Sequence, residues 1–340
     1  MKKFLLFLIS FLFCFSIFAE SRISKPELTE NKNLFNFTIE PIFGARIGHF
    51  GEQVFSKNTQ TGETYKLSEL IYEFDPALYT GFNTDFKVSN FHLLLGTKIF
   101  FPMRSGKMSD SDWCQDAGYQ TGNTSLKTNY SEHENYLKSS FNFDAAIKYD
   151  FHPAKWLILS PVISLLYEQI TFSTKNGTCW YGNKLTSSDS YSYYSYDDIP
   201  NRTVSKGYGE IVQLRRKDLY TWIGLDALFT TTDSRWNFFC GIYIAPYIYT
   251  HGEDDHYMRD LYYIDTTASL FYAGKAETFV KYNFSKTKSI KLSSSFLFTG
   301  NMKGTEIYKN SRNAPYQKGS GTIGATSMYV DIQLSGLFIF

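Results

Sequence analysis

Two short segments carry residue types at spacings that could do chemistry. In Glu253-Asp254-Asp255-His256-Tyr257-Met258-Arg259-Asp260 a carboxylate and an imidazole, Asp254 and His256, stand two apart; in the segment from Ser105 to Trp113, Asp110 and Asp112 do the same. Residues two apart on an extended chain point to one side. A carboxylate hydrogen-bonded to an imidazole fixes its tautomer and raises its basicity, so the ring can take a proton from water. Two carboxylates held close cannot both ionise comfortably, so their titrations couple and one keeps a proton. A water between the two pairs would be activated from the Asp254/His256 side, while the protonated carboxyl of Asp110/Asp112 donates to a developing oxyanion. The same residues also fit two other readings, solvated acidic loops and a divalent-ion site. No EF-hand or HExxH pattern accompanies them.

Such pairs need a frame that brings two distant segments together. From Leu34 the chain alternates with period two: Phe35, Phe37, Ile39, Pro41 and Phe43 interleave with Asn36, Thr38, Glu40 and Ile42, which predicts a strand. The pattern returns over Thr64 to Phe86, Phe91 to Phe101 and Glu210 to Phe229. Short connections at Lys87 to Asn90, Asp150 to Lys155, Thr231 to Arg235 and Ser285 to Ser289 alternate with long polar ones. The long ones run over Gly51 to Glu63, Ser105 to His133, Lys175 to Gly209, His251 to about Asp260 and Lys303 to Gly321. Four short turns and five long loops predict an all-β fold, a ten-stranded antiparallel up-and-down transmembrane β-barrel with long extracellular loops. In the last strand Met328, Val330, Ile332, Leu334, Phe338 and Phe340 form an apolar face, and Tyr329, Asp331, Gln333 and Ser335 a polar one. A secreted β-sandwich also alternates, but its strands average about five or six residues, and these runs are far longer. Trp156, Trp222 and Trp236 are expected in interfacial girdles. Inward residues such as Asp331, Gln333 and Lys98 are expected to fill the narrow lumen.

The ends and the composition agree with export to a membrane. Met1-Lys2-Lys3, the uncharged run Phe4 to Phe18 and Ala19-Glu20-Ser21 predict a signal peptide over 1–19, leaving 20–340 as one barrel domain. No later segment is apolar enough for a helical span, which leaves closure of a β-barrel as the way across a bilayer. Aromatic residues make up 18% of the chain and its net charge is +1, without the basic excess that a nucleic-acid partner would call for. Of Cys114, Cys179 and Cys240, the first two lie in polar segments and are the expected pair for a disulfide.

Gly106-Lys107-Met108-Ser109-Asp110-Ser111-Asp112-Trp113, together with Asp254-Asp255-His256-Tyr257 and Arg259-Asp260-Leu261, resembles the omptin family of outer-membrane endopeptidases. The similarity extends over Gly44, Glu52-Gln53-Val54-Phe55, Lys66 to Leu70, Gly207-Tyr208, Trp222 to Leu225 and the final Phe340. The resemblance implies an aspartyl-type hydrolase in the outer membrane with its active site facing the exterior, cleaving peptides or proteins next to basic residues. Asp254 and His256 would be the activating dyad and Asp110 and Asp112 the opposing pair, with no acyl-enzyme and no cofactor. It implies an acidic substrate pocket to which Glu52 belongs. The position four before the histidine, acidic in the family, is Gly252 here, and the neighbouring Glu253 is the expected substitute. It also implies lipopolysaccharide bound to basic residues outside the barrel. Tyr167 to Thr171 lacks the arginine expected there, so Arg215, Arg216 and Lys217 are the candidate lipid-binding cluster and dependence on lipopolysaccharide stays open. The alternative is a non-catalytic barrel acting as adhesin or receptor through the Tyr- and Ser-rich run Ser187 to Tyr196.

Overall fold

A computed structural model describes residues 35–58, 61–113, 124–187, 190–319 and 321–340. The expected signal peptide and Cys114 lie outside these residues. The described residues form sixteen strands: β1 (Phe35–Lys57), β2 (Thr64–Val88), β3 (Phe91–Phe100), β4 (Met103–Trp113), β5 (Lys127–Tyr149), β6 (Phe151–Ala154), β7 (Leu157–Tyr181) and β8 (Asn183–Ser187); then β9 (Ser190–Tyr193), β10 (Thr203–Thr230), β11 (Trp236–His256), β12 (Leu261–Ser269), β13 (Ala273–Asn283), β14 (Lys288–Lys309), β15 (Gln317–Lys318) and β16 (Thr322–Ile339).

Ten antiparallel staves make a closed ring, because β3 continues into β4 as one stave and β12 into β13 as another. Closure runs through β1 and β16, from Thr38 opposite Ile339 to Phe55 opposite Thr322. Closing the sheet leaves no unpaired edge, which is what a strand protein in lipid requires. Phe43, Ile47, Phe82, Ile99, Ile163, Leu225, Ile242 and Leu334 are exposed on the outside as an apolar belt. On β16 Met328, Ile332 and Leu334 face out while Tyr329, Asp331 and Ser335 are buried, as the alternation predicts. Trp156 and Trp236 are exposed at the short-turn end, but Trp222 is buried, because it shares parity with the inward Tyr220, on which it stacks at 5.4 Å.

The four short turns fall where expected, whereas most of the chain read as long loops is strand. β4 carries Asp110 and Asp112, and β11 runs through to His256, so that only Tyr257 to Asp260 separates it from β12. Beyond the apolar belt Leu70, Tyr72, Val212 and Leu214 are still buried on the inner face, and backbone pairing carries the staves on to Lys57, Trp113 and His256. At the base of this extension β4 shifts register against β5 between Arg104 and Lys107. Gly106 takes a φ of 106° there, and a Cβ on it would lie 2.9 Å from a Glu73 carboxylate oxygen, so the bulge requires glycine.

Inside, the lumen is filled. The Arg46 guanidinium lies 3.7 Å over the Tyr329 ring, bonds Asp331 at 2.8 Å and pairs with Glu168. Lys98 reaches Asp331 at 2.7 Å, as expected for inward polar groups in a narrow barrel. Phe50, Phe74 and Tyr72 pack around Phe172 as an aromatic layer above these charges.

Candidate active site

The aromatic layer is the floor of a polar cleft at the long-loop end. Asp254 and His256 leave β11 on its inner face, and the His256 Nε2 lies 2.6 Å from Asp254 Oδ2. That contact leaves Nδ1 as the ring nitrogen available to other groups. Tyr72, from the floor, donates its hydroxyl to Asp254 Oδ1 at 3.4 Å, and Tyr263 packs edge-on against the imidazole at 5.3 Å. Burial of the ring acts to lower its pKa, but the Asp254 carboxylate overrides this and holds His256 above its ordinary value.

Asp110 and Asp112 share the inner face of β4, paired with Leu70 and Ser68 on one side and with Ser131 and Asn129 on the other. Burial and the neighbouring Asp112 charge push the Asp110 carboxyl up to about 7, against the pull of His256 and Arg259. Asp112 is also raised by burial, moderated by Arg259 and by hydrogen bonds from Ser68 and Asn129. One Asp110 oxygen is buried without a hydrogen-bond partner in the protein. The charges of Asp110 and His256 act on each other, so the two pairs, more than 140 residues apart in sequence, share one cleft. Arg259, in the turn after β11, acts electrostatically on both aspartates, a role the sequence did not disclose.

Glu52 projects from β1 into the same cleft and is only 7% exposed. Burial first, then the Asp254 and Asp265 charges, hold its carboxyl well above the usual range. Glu253 does not join it. Strand alternation turns Glu253 and Asp255 to the outer face, where Arg215 Nε binds Glu253 at 3.0 Å and its Nη2 binds Asp255 at 3.0 Å. The expectation that Glu253 stands in for the acid missing at 252 is therefore corrected. Position 252 borders two other acids instead: a Cβ there would lie 2.9 Å from Glu52 Oε1 and 3.8 Å from Asp265 Cβ.

The expected basic cluster is split by the same alternation. Arg216 is 1% exposed and turned inward, bonded to Asp218 at 3.0 Å and to Ser327 at 2.8 Å, so it cannot meet lipid. Arg215 is engaged by Glu253 and Asp255, and Lys217 alone of the three is both outward and exposed. Cys179 lies on β7 and Cys240 on β11, and among the described residues neither is bonded to another cysteine. Among the described residues no group of three or more His, Cys, Asp and Glu side chains is arranged to hold a metal ion.

The omptin family model matches residues 34–337, nearly all of the described chain. The crystal structure of the outer-membrane protease OmpT from Escherichia coli superposes with a TM-score of 0.73 at 17% identity, covering 93% of this chain and 100% of that one. The outer-membrane protein OprG from Pseudomonas aeruginosa covers 90% of this chain and 95% of its own, at 7% identity and a TM-score of 0.37, too low to carry an argument. No curated protein matches by sequence. With the family pattern spanning the barrel from its first stave to its last, the chain belongs to the omptin family of outer-membrane proteases.

Proposed function

We propose that the chain is an endopeptidase that cleaves exposed peptides or protein loops next to basic residues, with the cleft at the long-loop end facing the exterior of the cell. The observation that carries this reading is the 2.6 Å contact between His256 and Asp254 in the same cleft as Asp110 and Asp112, both raised by burial, Asp110 to about 7. In the reaction His256 Nδ1 takes a proton from water as the water oxygen attacks the scissile carbonyl carbon. Asp254, bonded to Nε2, orients the ring and stabilises the imidazolium that forms. The proton held by Asp110 and Asp112 is donated to the carbonyl oxygen, so the tetrahedral intermediate is not left as a bare oxyanion. Collapse breaks the C–N bond, the leaving amine takes the proton from His256, and the aspartate pair recovers its own. No covalent enzyme intermediate forms. Glu52 supplies negative charge for the basic side chain of the substrate.

The pH dependence tests this division of labour. Activity needs His256 neutral and the aspartate pair singly protonated, so kcat/KM is bell-shaped. The acid limb reports His256, raised above its ordinary value; the alkaline limb reports the Asp110/Asp112 pair. Asp112→Asn removes a charge that raises Asp110, so any residual activity has its alkaline limb moved to lower pH. Asp254→Asn removes the charge that raises His256, and the acid limb moves down. Profiles measured with a fluorogenic peptide containing adjacent arginines check both shifts, and a flat wild-type profile down to pH of about 4 rules out an imidazole base. Parallel assays with and without lipopolysaccharide measure whether the lipid is required, with Lys217→Ala as the variant that tests the remaining exposed cation of the outer cluster.

A further inference from the structure

A cluster of nucleophilic and titratable side chains that the proposed reaction does not use lines the cleft wall beyond the aspartate pair. Register puts Asp110 on β4, Ser131 on β5, Cys179 on β7 and Ser205 on β10 in one row. In the next row Asn129 lies between Asp112 and Tyr181. Side chains directly opposite each other in an antiparallel pair share a face. Cys179 therefore looks into the cleft from two strand spacings beyond Asp110, about 10 Å away. His133 is held beside it. The ring is 5% exposed, its Nδ1 donates to the Asn176 carbonyl at 2.6 Å, and its Nε2 lies 2.8 Å from Ser131 Oγ. A Cβ on Gly177 would run into this ring, so glycine lets β7 lie against it. Three side chains hydrogen-bond the Cys179 sulfur: His133 from β5, Tyr181 from its own stave and Ser205 from β10.

Donors converging on one sulfur from three directions serve a thiolate, the nucleophilic form of cysteine. The His133 hydrogen bond holds the Cys179 thiol below its ordinary value against burial, and Cys179 is half-buried, within reach of solutes. The neighbouring row adds an unspent acceptor. Asn129 is 7% exposed and bonds Asp112, and its Oδ1 is buried with no hydrogen-bond partner among the described residues. Such an orphan is served by an N–H that arrives with a ligand. A ligand that suits both features carries a disulfide and a peptide amide. We propose that Cys179 is a covalent modification site for small peptide disulfides, and that the attached group closes the cleft to peptides. The site stands on the cluster itself; its consequence for cleavage rests on the reading of the chain as a peptidase. His133 Nε2 takes the thiol proton, because Nδ1–H is held by the Asn176 carbonyl. The Cys179 sulfur attacks one sulfur of the reagent, the S–S bond breaks, and the departing thiolate takes the proton from His133. Cys179 is oxidised into the mixed disulfide and the departing sulfur is reduced to a thiol, with no further reactant. A tripeptide on Cys179 spans the row to Asp110, where substrate has to lie.

The test incubates the whole protein in detergent with oxidised glutathione and follows each cysteine by peptide mass spectrometry. Cys179 is expected to gain one glutathionyl group about tenfold faster than Cys240, and His133→Gln to remove most of that advantage while Cys240 reacts as before. Heat-modifiable migration shows whether His133→Gln is folded, and Ser205→Ala, which takes one hydroxyl from the sulfur, shifts the rate in the same direction. The Cys179-to-Cys240 rate ratio is larger with oxidised glutathione than with cystamine, a disulfide without amide N–H groups; equal ratios overturn the assignment to peptide disulfides. A Cys179 bridged to Cys114 in the isolated protein, or one that reacts no faster than Cys240, overturns the site. Closure is read from the anisotropy of a labelled arginine peptide bound to His256→Ala. Modification weakens binding, dithiothreitol restores it, and Cys179→Ser in the same background makes binding insensitive to the disulfide. Binding unchanged by a stoichiometric adduct overturns closure. A wild type that takes the adduct and loses peptide binding, yet cleaves no peptide when unmodified, supports the site and defeats the peptidase reading alone.

Discussion

Replacing His256 by alanine is expected to lower kcat by about 10²- to 10⁴-fold, the range that a positioned general base contributes. The barrel should still fold, because the imidazole sits at the cleft mouth on an extension of β11 whose backbone pairs with β10 on one side and β12 on the other. Asp110→Asn should cost a similar factor, since it takes away the proton donor opposite. The groups act on one water and one carbonyl, so their losses do not add. Asp254→Ala combined with His256→Ala should be little worse than His256→Ala alone. Single-turnover cleavage of a fluorogenic peptide gives the rates, and heat-modifiable migration in detergent reports whether each variant is folded. A His256→Ala enzyme that keeps activity within tenfold of wild type would remove the imidazole from the mechanism.

Removing Arg46 should be the most damaging substitution for stability. Its guanidinium is 1% exposed, bonded to Asp331 at 2.8 Å, paired with Glu168 and seated over Tyr329. Arg46→Ala leaves Glu168, itself fully buried, without its cation, and breaking a buried pair in this way costs about 3–5 kcal/mol. Neutralising the orphan as well, in Arg46→Ala/Glu168→Gln, should recover part of that loss. Unfolding midpoints in urea with detergent-solubilised protein measure both variants. The consequence extends to the cleft, because Arg46 and Tyr329 lie under the aromatic layer whose Tyr72 supports Asp254. An Arg46 variant that folds as stably as wild type would show that the lumen charges fill space without holding the floor in place.

The parts of the fold that the sequence foretold are those where lipid acts on one face. In β16 the contrast between Met328, Ile332 and Leu334 outside and Tyr329, Asp331 and Ser335 inside is imposed by the bilayer, and period two is its direct trace. Past the belt that contrast fades. Ser105 to Trp113 and His251 to His256 read as loops, yet backbone hydrogen bonding carries them on as β4 and β11. The site gains from this, since strand pairing fixes Asp254 and His256 to one face more firmly than a loop would.

Parity within one strand is local information, and it already implied that Glu253 and Asp255 turn away from His256 and that Arg216 opposes Arg215. By itself, then, the sequence determined the barrel, its four tight turns, the two aspartate-bearing motifs and the facing of residues along the bulge-free stretches of each stave. Only the tertiary structure decided which residues meet from different staves: Tyr72 beneath Asp254, Arg259 acting on Asp110 and Asp112, and Asp265 across from Glu52 at Gly252. The physical reason is register. Period two records which face a side chain takes, but not how far one strand has slid along the next, and that sliding sets which carboxylates share a cleft.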